Sequence, residues 1–259
     1  KNDLTYALYS ELTQGTSVAW KPLAGLVEEL RMIKDEHELA ILRRGAGVTD
    51  AAFAHILTMI KPGVTEQELS LELEYFMRRQ GASKASFRYI IASGPRGAMP
   101  HGTASSKRLA AGELITMDFG AVFDAYCTDI TRTVCLGEPD ERQRRVYEVV
   151  LQAQQEARTR IRPGMTGREV DALARNLIKE AGFDEQFGHG LGHGVGLEVH
   201  EEPRLAPLSN TVLQPGMVVT VEPGVYIPGW GGVRIEDMVL ITADGAELLT
   251  HSPRELIIL

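Results

Sequence analysis

Apolar residues along the chain recur at helical spacing in some stretches and gather into short β-branched runs in others. Residues 3–13 (DLTYALYSELT) have the pattern of a short amphipathic helix, followed by a loose stretch ending at Pro22. From Asp35 to Ile60 the spacing predicts a long helix. Asp35, Glu36 and Glu38 suit its positive N-terminal end, and Lys61-Pro62-Gly63 stops it. A second helix opens on Thr65 and Glu68 as a capping box, carries Leu69, Leu73, Phe76 and Met77 on one face, and ends at Gly81. Strand-like runs follow at Ser86–Ala92, Leu114–Phe119 and the β-branched Tyr126–Leu136, then a helix from Asp140 to Ile161.

The pattern then repeats. Residues 60–82 and 161–183 share six identities at an offset of 101: Ile60/Ile161, Pro62/Pro163, Gly63/Gly164, Thr65/Thr166, Glu68/Glu169 and Gly81/Gly182. Further on, Leu109, Gly112, Thr116 and Gly120 recur as Leu213, Gly216, Thr220 and Gly224 at an offset of 104. Two copies are too few for a solenoid. They predict one domain of two similar halves, each of helices followed by strands, an α+β arrangement with a natural site near a pseudo-twofold axis. Asp118 and Glu222 stand at equivalent positions of the two halves, each in an apolar strand.

A lone acid in a strand usually faces solvent, but each of these is followed by another. Asp129 lies eleven residues after Asp118, and Glu236 lies fourteen after Glu222. A hairpin of that length folds the second acid back beside the first. Four converging carboxylates are costly to bury unpaired, and bound divalent metal resolves the cost. The Gly-rich segment FGHGLGHGVGLEVH adds His189, His193 and His200. Glycines beside His193 argue against the helical zinc motif, and no apolar strand precedes the segment as dinucleotide binding requires. Carboxylates plus one imidazole suit manganese, cobalt or ferrous ions, most simply as a bridged pair, which can activate a water and polarise a carbonyl. The expected chemistry is hydrolysis.

Composition narrows the partners. With 259 residues, 27 Lys+Arg against 35 Asp+Glu and 44% hydrophobic residues, the chain can bury its own core and is not globally disordered. A net charge of -8 argues against a dedicated nucleic-acid surface. No apolar run reaches the roughly 18 residues of a membrane span, and no signal-peptide pattern opens the chain. Cys127 and Cys135, if on one strand, stand roughly 26 Å apart, too far for a disulfide. Buried thiols in a reducing cytoplasm are the expectation.

The order Asp118, Asp129, His193, Glu222, Glu236, with the phrases MDFG, YCTDITRTV, GHGVGLEVHE, VEPGVYIP and GGVRIEDMVL, resembles the pita-bread metallopeptidases. Within them it is most similar to the Xaa-Pro dipeptidase (prolidase) and aminopeptidase P branch, over residues 26–259. The resemblance implies a catalytic domain of two pseudo-symmetric halves, with helices packed on a curved, mainly antiparallel sheet. It also implies hydrolysis of the bond before proline, most simply in Xaa-Pro dipeptides. Alternatives are aminopeptidase P activity on longer X-Pro peptides, a methionine aminopeptidase, and a non-catalytic binding module of the same fold.

By the same resemblance, Asp129 and Glu236 bridge two divalent ions, Asp118 binds one, and His193 and Glu222 bind the other. Manganese is favoured over cobalt, iron or zinc. Glu222 doubles as general acid/base for the attacking water. His101 contacts the reacting centre or the leaving nitrogen, and His189 and His200 are substrate-side. Arg234 and Tyr226 support the site, Thr131 lies behind it, and Arg204 is expected to grip a dipeptide's terminal carboxylate. Prolidases also carry a smaller N-terminal domain, commonly involved in dimerisation. Residues 1–25, opening on Lys1 rather than Met, are expected to be the tail of such a domain, and the full-length protein is expected to be a cytoplasmic homodimer.

Overall fold

The acids that open the first long helix do what their positions predict. Asp35 accepts the Glu38 N–H at 2.9 Å, and Glu38 in turn accepts the Asp35 N–H at 2.7 Å. This capping box starts α3 (Glu36–Leu57). The computed structural model describes residues 4–21, 23 and 25–259, so Pro22 and the first three residues lie outside it. Ahead of α3 stand α1 (Tyr6–Thr13), capped by Thr5, and α2 (Leu26–Met32). Sequence periodicity did not predict α2, and none of its residues is buried. It is anchored by charge, Arg31 donating to Glu201 at 2.5 Å.

In the first half, α4 (Glu66–Arg79) leads into β1 (Lys84–Ala85), β2 (Ile90–Ser93), β3 (Glu113–Phe119), β4 (Ala121–Phe123), β5 (Tyr126–Cys127) and β6 (Ile130–Leu136). In the second, α5 (Glu141–Arg160) and α6 (Gly167–Glu180) precede β7 (Gly192–Gly194), β8 (Glu201–Leu205), β9 (Val218–Val221), β10 (Gly224–Ile227), β11 (Gly231–Arg234), β12 (Asp237–Ile241) and β13 (Ala246–Leu248). The sheets holding β3 and β7 run β2-β3-β6 and β13-β12-β9-β7-β8, and every pairing in them is antiparallel. Residues of α3 and α4 pack with β2, β3 and β6 in one core, while α5 and α6 pack with β9 to β12 in another.

Neither of two expected strands is continuous. Of Ser86–Ala92 only Ile90–Ala92 is strand, in β2, because the Ser86 N–H bonds Gly120 O at 3.1 Å beside the sheet of β1 while Ile90 pairs in a different sheet. Tyr126–Leu136 splits at Thr128–Asp129, where Thr128 N–H bonds back to Ala121 O at 2.9 Å. Alternating hydrophobicity is the same on either side of a sheet change, so it cannot signal one. The split invalidates the single-strand distance for the cysteines, yet both are free and buried.

The halves meet as the repeat demands. Asp118 faces Thr131 across β3–β6, and Val221 faces Asp237 across β9–β12, which sets Glu222 opposite Glu236. Residues 118 and 131 therefore correspond to 222 and 236. At the seam, counterparts touch. The Thr131 hydroxyl donates to Glu236 Oε2 at 2.6 Å, the Glu236 N–H to Thr131 O at 3.0 Å, and buried Arg132 to Asp237 Oδ1 at 2.7 Å. Contact between equivalent residues is the mark of a twofold axis, and the acids lie around it.

Candidate metal centre

Each acid sits where a strand ends or begins. Asp118 is next to last in β3, Asp129 immediately precedes β6, Glu222 follows β9, and Glu236 lies between β11 and β12. His193 is the middle residue of β7. All five line one cleft of about 390 Å³, within the usual range for small-molecule sites. Asp129, His193 and Glu236 offer ligand atoms lying within 4.8 Å of one another. His193 Nε2 is 3.2 Å from Glu222 Oε1 and 3.7 Å from Asp129 Oδ2. Its Nδ1 lies 3.0 Å from the Gly194 carbonyl, which needs a donor, so the proton belongs on Nδ1 and the Nε2 lone pair faces the acids. The Thr220 hydroxyl accepts the His193 N–H at 3.1 Å and donates to Glu222 Oε1 at 3.0 Å.

The centre is electrostatically unfinished. Asp118 Oδ1, Asp129 Oδ1 and Glu236 Oε1 are buried without a hydrogen-bond partner. Burial, and then the charges of the neighbouring acids, hold Asp129 and Glu236 well above the ordinary carboxylate range. Burial also raises Asp118, although Arg234 opposes it. Glu222 goes the other way. Burial works against its charge, but the combined pull of the basic groups around it, His193 first and then His189 and Arg234, holds the carboxyl down at about 2. Orphaned hard oxygen donors around an imidazole lone pair fit divalent metal, and a soft thiolate site is absent among the described residues lining the cleft.

Arg234 closes one side. It is buried, donating to Asp118 Oδ2 at 2.5 Å, Thr131 Oγ1 at 3.1 Å, the Pro100 carbonyl at 3.2 Å and the Tyr226 hydroxyl at 2.7 Å. The Tyr226 hydroxyl donates a hydrogen bond to His189 Nε2 at 2.9 Å, while His189 Nδ1 donates to the Gly190 carbonyl at 2.7 Å. Both ring nitrogens of His189 are thus engaged, and burial lowers its pKa. His101 and His200 also line the cleft, each exposed and with no hydrogen bond to its imidazole among the described residues. The His200 ring centroid lies 4.3 Å from that of His193. Arg204 is the register partner of His193 across β7–β8.

Residues 40–243 match metallopeptidase family M24. The chain belongs to that family. It is 46% identical over 255 residues to the Xaa-Pro dipeptidase of Pyrococcus furiosus, covering 98% of this chain and 73% of the relative. It superposes on the Xaa-Pro dipeptidase from Bacillus anthracis with a TM-score of 0.98 at 54% identity, covering 99% of this chain and 72% of that one. The X-Pro aminopeptidase from Thermotoga maritima matches with a TM-score of 0.93 at 39% identity, over 98% and 73%. The fold is the pita-bread fold expected from the resemblance, and the M24 membership makes this chain a metallopeptidase that works with divalent metal.

Three features of the M24 site escaped the sequence reading. Thr220 was visible only as a repeat identity with Thr116. The Pro100 and Gly190 carbonyls carry no side-chain signal at all. Phe87 and Arg88 line the cleft from the irregular link into β2, where burial pattern does not reveal the facing side, and Ile90 lines it from the start of β2. No helix among the described residues is long and apolar enough to cross a membrane.

Proposed function

We propose that the chain hydrolyses the peptide bond before proline in Xaa-Pro dipeptides, with two divalent ions, manganese first, held by Asp118, Asp129, His193, Glu222 and Glu236. One observation carries the reading: Asp129 and Glu236, each with an orphaned carboxylate oxygen, gather with His193 in one cleft, beside Asp118 with another, in a chain closely related to Xaa-Pro dipeptidases. The bound ions would supply Lewis-acid polarisation and a readily deprotonated water. In this reading Asp129 and Glu236 would help to hold both ions, Asp118 one of them, and His193 and Glu222 the other.

Glu222 takes the proton of the attacking water on its carboxylate and delivers it to the departing proline nitrogen. That nitrogen belongs to a tertiary amide and has no hydrogen of its own. His101 and His200, free on the cleft wall, donate to the developing oxyanion and orient the substrate. His189 is held through Tyr226 and Arg234, so its part is to fix Asp118. Arg204, beside His193, takes the terminal carboxylate.

One observation favours a second reading, an aminopeptidase acting on longer X-Pro peptides. A groove of about 770 Å³ adjoins the cleft and shares His200 and Arg204 with it, giving room beyond a dipeptide. The test is hydrolysis of Ala-Pro, Ala-Pro-Ala and Met-Ala-Ser by chelator-stripped protein reloaded with manganese or cobalt. Cleavage of Ala-Pro alone is expected, lost in chelator and restored by metal. Efficient cleavage of Ala-Pro-Ala would favour the second reading, and no cleavage of either proline peptide would exclude both.

A further inference from the structure

With the metal ligands assigned as above, the charged side chains left on the cleft wall, histidines apart, are Arg88, Arg204 and Arg234. Arg234 is buried and fully committed to Asp118, Thr131, Tyr226 and Pro100. Among the described residues, Arg204 has only a 4.0 Å rim contact with Glu202. Arg88 is exposed and makes no hydrogen bond or ion pair among the described residues. It stands on the ridge between the cleft and a neighbouring groove. The one carboxylate among the described residues lining that groove, Glu74, is already bonded by Arg78 at 2.8 Å. No described residue therefore neutralises Arg88.

The two free guanidiniums reach the cleft from different halves of the molecule. Arg204 stands opposite His193 in the second half's sheet. In the first half, Ile90 faces Asp118 across β2–β3, and Arg88 precedes Ile90 by two residues, the spacing that returns an extended chain to the same side. A dipeptide with a neutral side chain brings a single carboxylate, which one guanidinium satisfies. The other is left over.

We infer that Arg88 selects the residue before proline, favouring an acidic side chain (Glu-Pro, Asp-Pro) and disfavouring a basic one. The inference rests on the proposed Xaa-Pro reading and adds the substrate class. Phe87 and Ile90 beside Arg88 offer apolar contact to the stem of that side chain, and the guanidinium meets its carboxylate.

The experiment compares kcat/KM for Glu-Pro, Leu-Pro and Lys-Pro in wild type, Arg88→Ala and Arg88→Glu, using metal-loaded protein. Arg88→Ala should lower the Glu-Pro to Leu-Pro ratio by about fivefold, the upper range for one solvent-accessible ion pair, and Arg88→Glu should raise Lys-Pro above Glu-Pro. Added salt should shrink the wild-type ratio. Equal losses on all three dipeptides would assign Arg88 to the terminal carboxylate and overturn the inference, as would ratios that neither variant moves. The same ratios measured as affinities by calorimetry decide the point without turnover. Charge-dependent binding with no hydrolysis would sink the proposed reaction and leave the selectivity standing.

Discussion

Asp129 shows what a single residue contributes here: a charge that the metal-free fold disfavours. Its carboxyl is held well above the ordinary range by burial and then by Glu236. A group with a raised folded-state pKa binds its proton more tightly folded than unfolded. That advantage is complete below the unfolded value of about 4 and is lost as pH rises through the folded pKa. Asp129→Asn carries no such charge. In chelator, its melting temperature should exceed that of wild type by a margin that widens as pH rises from about 4, the stability gap growing by up to about 1.4 kcal/mol per pH step of one. Manganese added at pH 7 should stabilise wild type more than the variant, and the variant should lose turnover. Calorimetry with and without metal checks this, and an Asn variant less stable than metal-free wild type at neutral pH would contradict it. The acids were legible in the sequence as a set. Their orphaned oxygens were not, because whether a second oxygen finds a donor depends on neighbours such as Thr131 and Arg234, each about a hundred residues away from the acid it serves.

At the scale of elements, local chemistry was readable where it is short-ranged. Thr65 and Thr166 each cap a helix of 14 residues, with Glu68 and Glu169 closing identical boxes, as their repeat positions indicated. Strand breaks were not readable, and one of them matters to the site. The chain leaves β5 at Cys127 and re-enters β6 at Ile130, which places Asp129 at the seam. The turn-back depends on Gly120, where a side chain would run into the carbonyl of Thr128. Gly120→Ala should therefore push Thr128–Asp129 away, costing about 1–3 kcal/mol as overpacking does. It should also weaken metal binding, as read by urea denaturation and by titration with manganese. Unchanged metal affinity in a folded variant would mean that the turn does not set the position of Asp129.

Across the whole molecule, the two halves are joined by charge as well as by apolar packing. Arg132 is 1% exposed and lies against Asp237, which is 0% exposed. Arg132 also donates to the carbonyls of Thr131, Glu236, Ser252 and Pro253, and Asp237 takes further bonds from Gln154 and Arg254. Arg132→Met would strip this seam of its central cation while leaving Asp237 buried. We expect a loss of about 3–5 kcal/mol, measured by equilibrium unfolding, together with weaker metal binding because the backbone of Glu236 loses its anchor. A variant with wild-type stability would show that Arg254 and Gln154 suffice.

The sequence alone determined the helices of the repeat, their caps, the two-half organisation and a set of four acids with a histidine cluster whose chemistry suits metal. Periodicity, capping and residue type act within a few positions and survive in the linear chain. The tertiary structure alone decided that equivalent residues meet at the axis, which nitrogen of His193 faces the acids, how His189 is tied to Tyr226, and that Arg88 borders the cleft. Each of these depends on where a carbonyl, hydroxyl or open space falls after distant strands pair, and no local pattern records it.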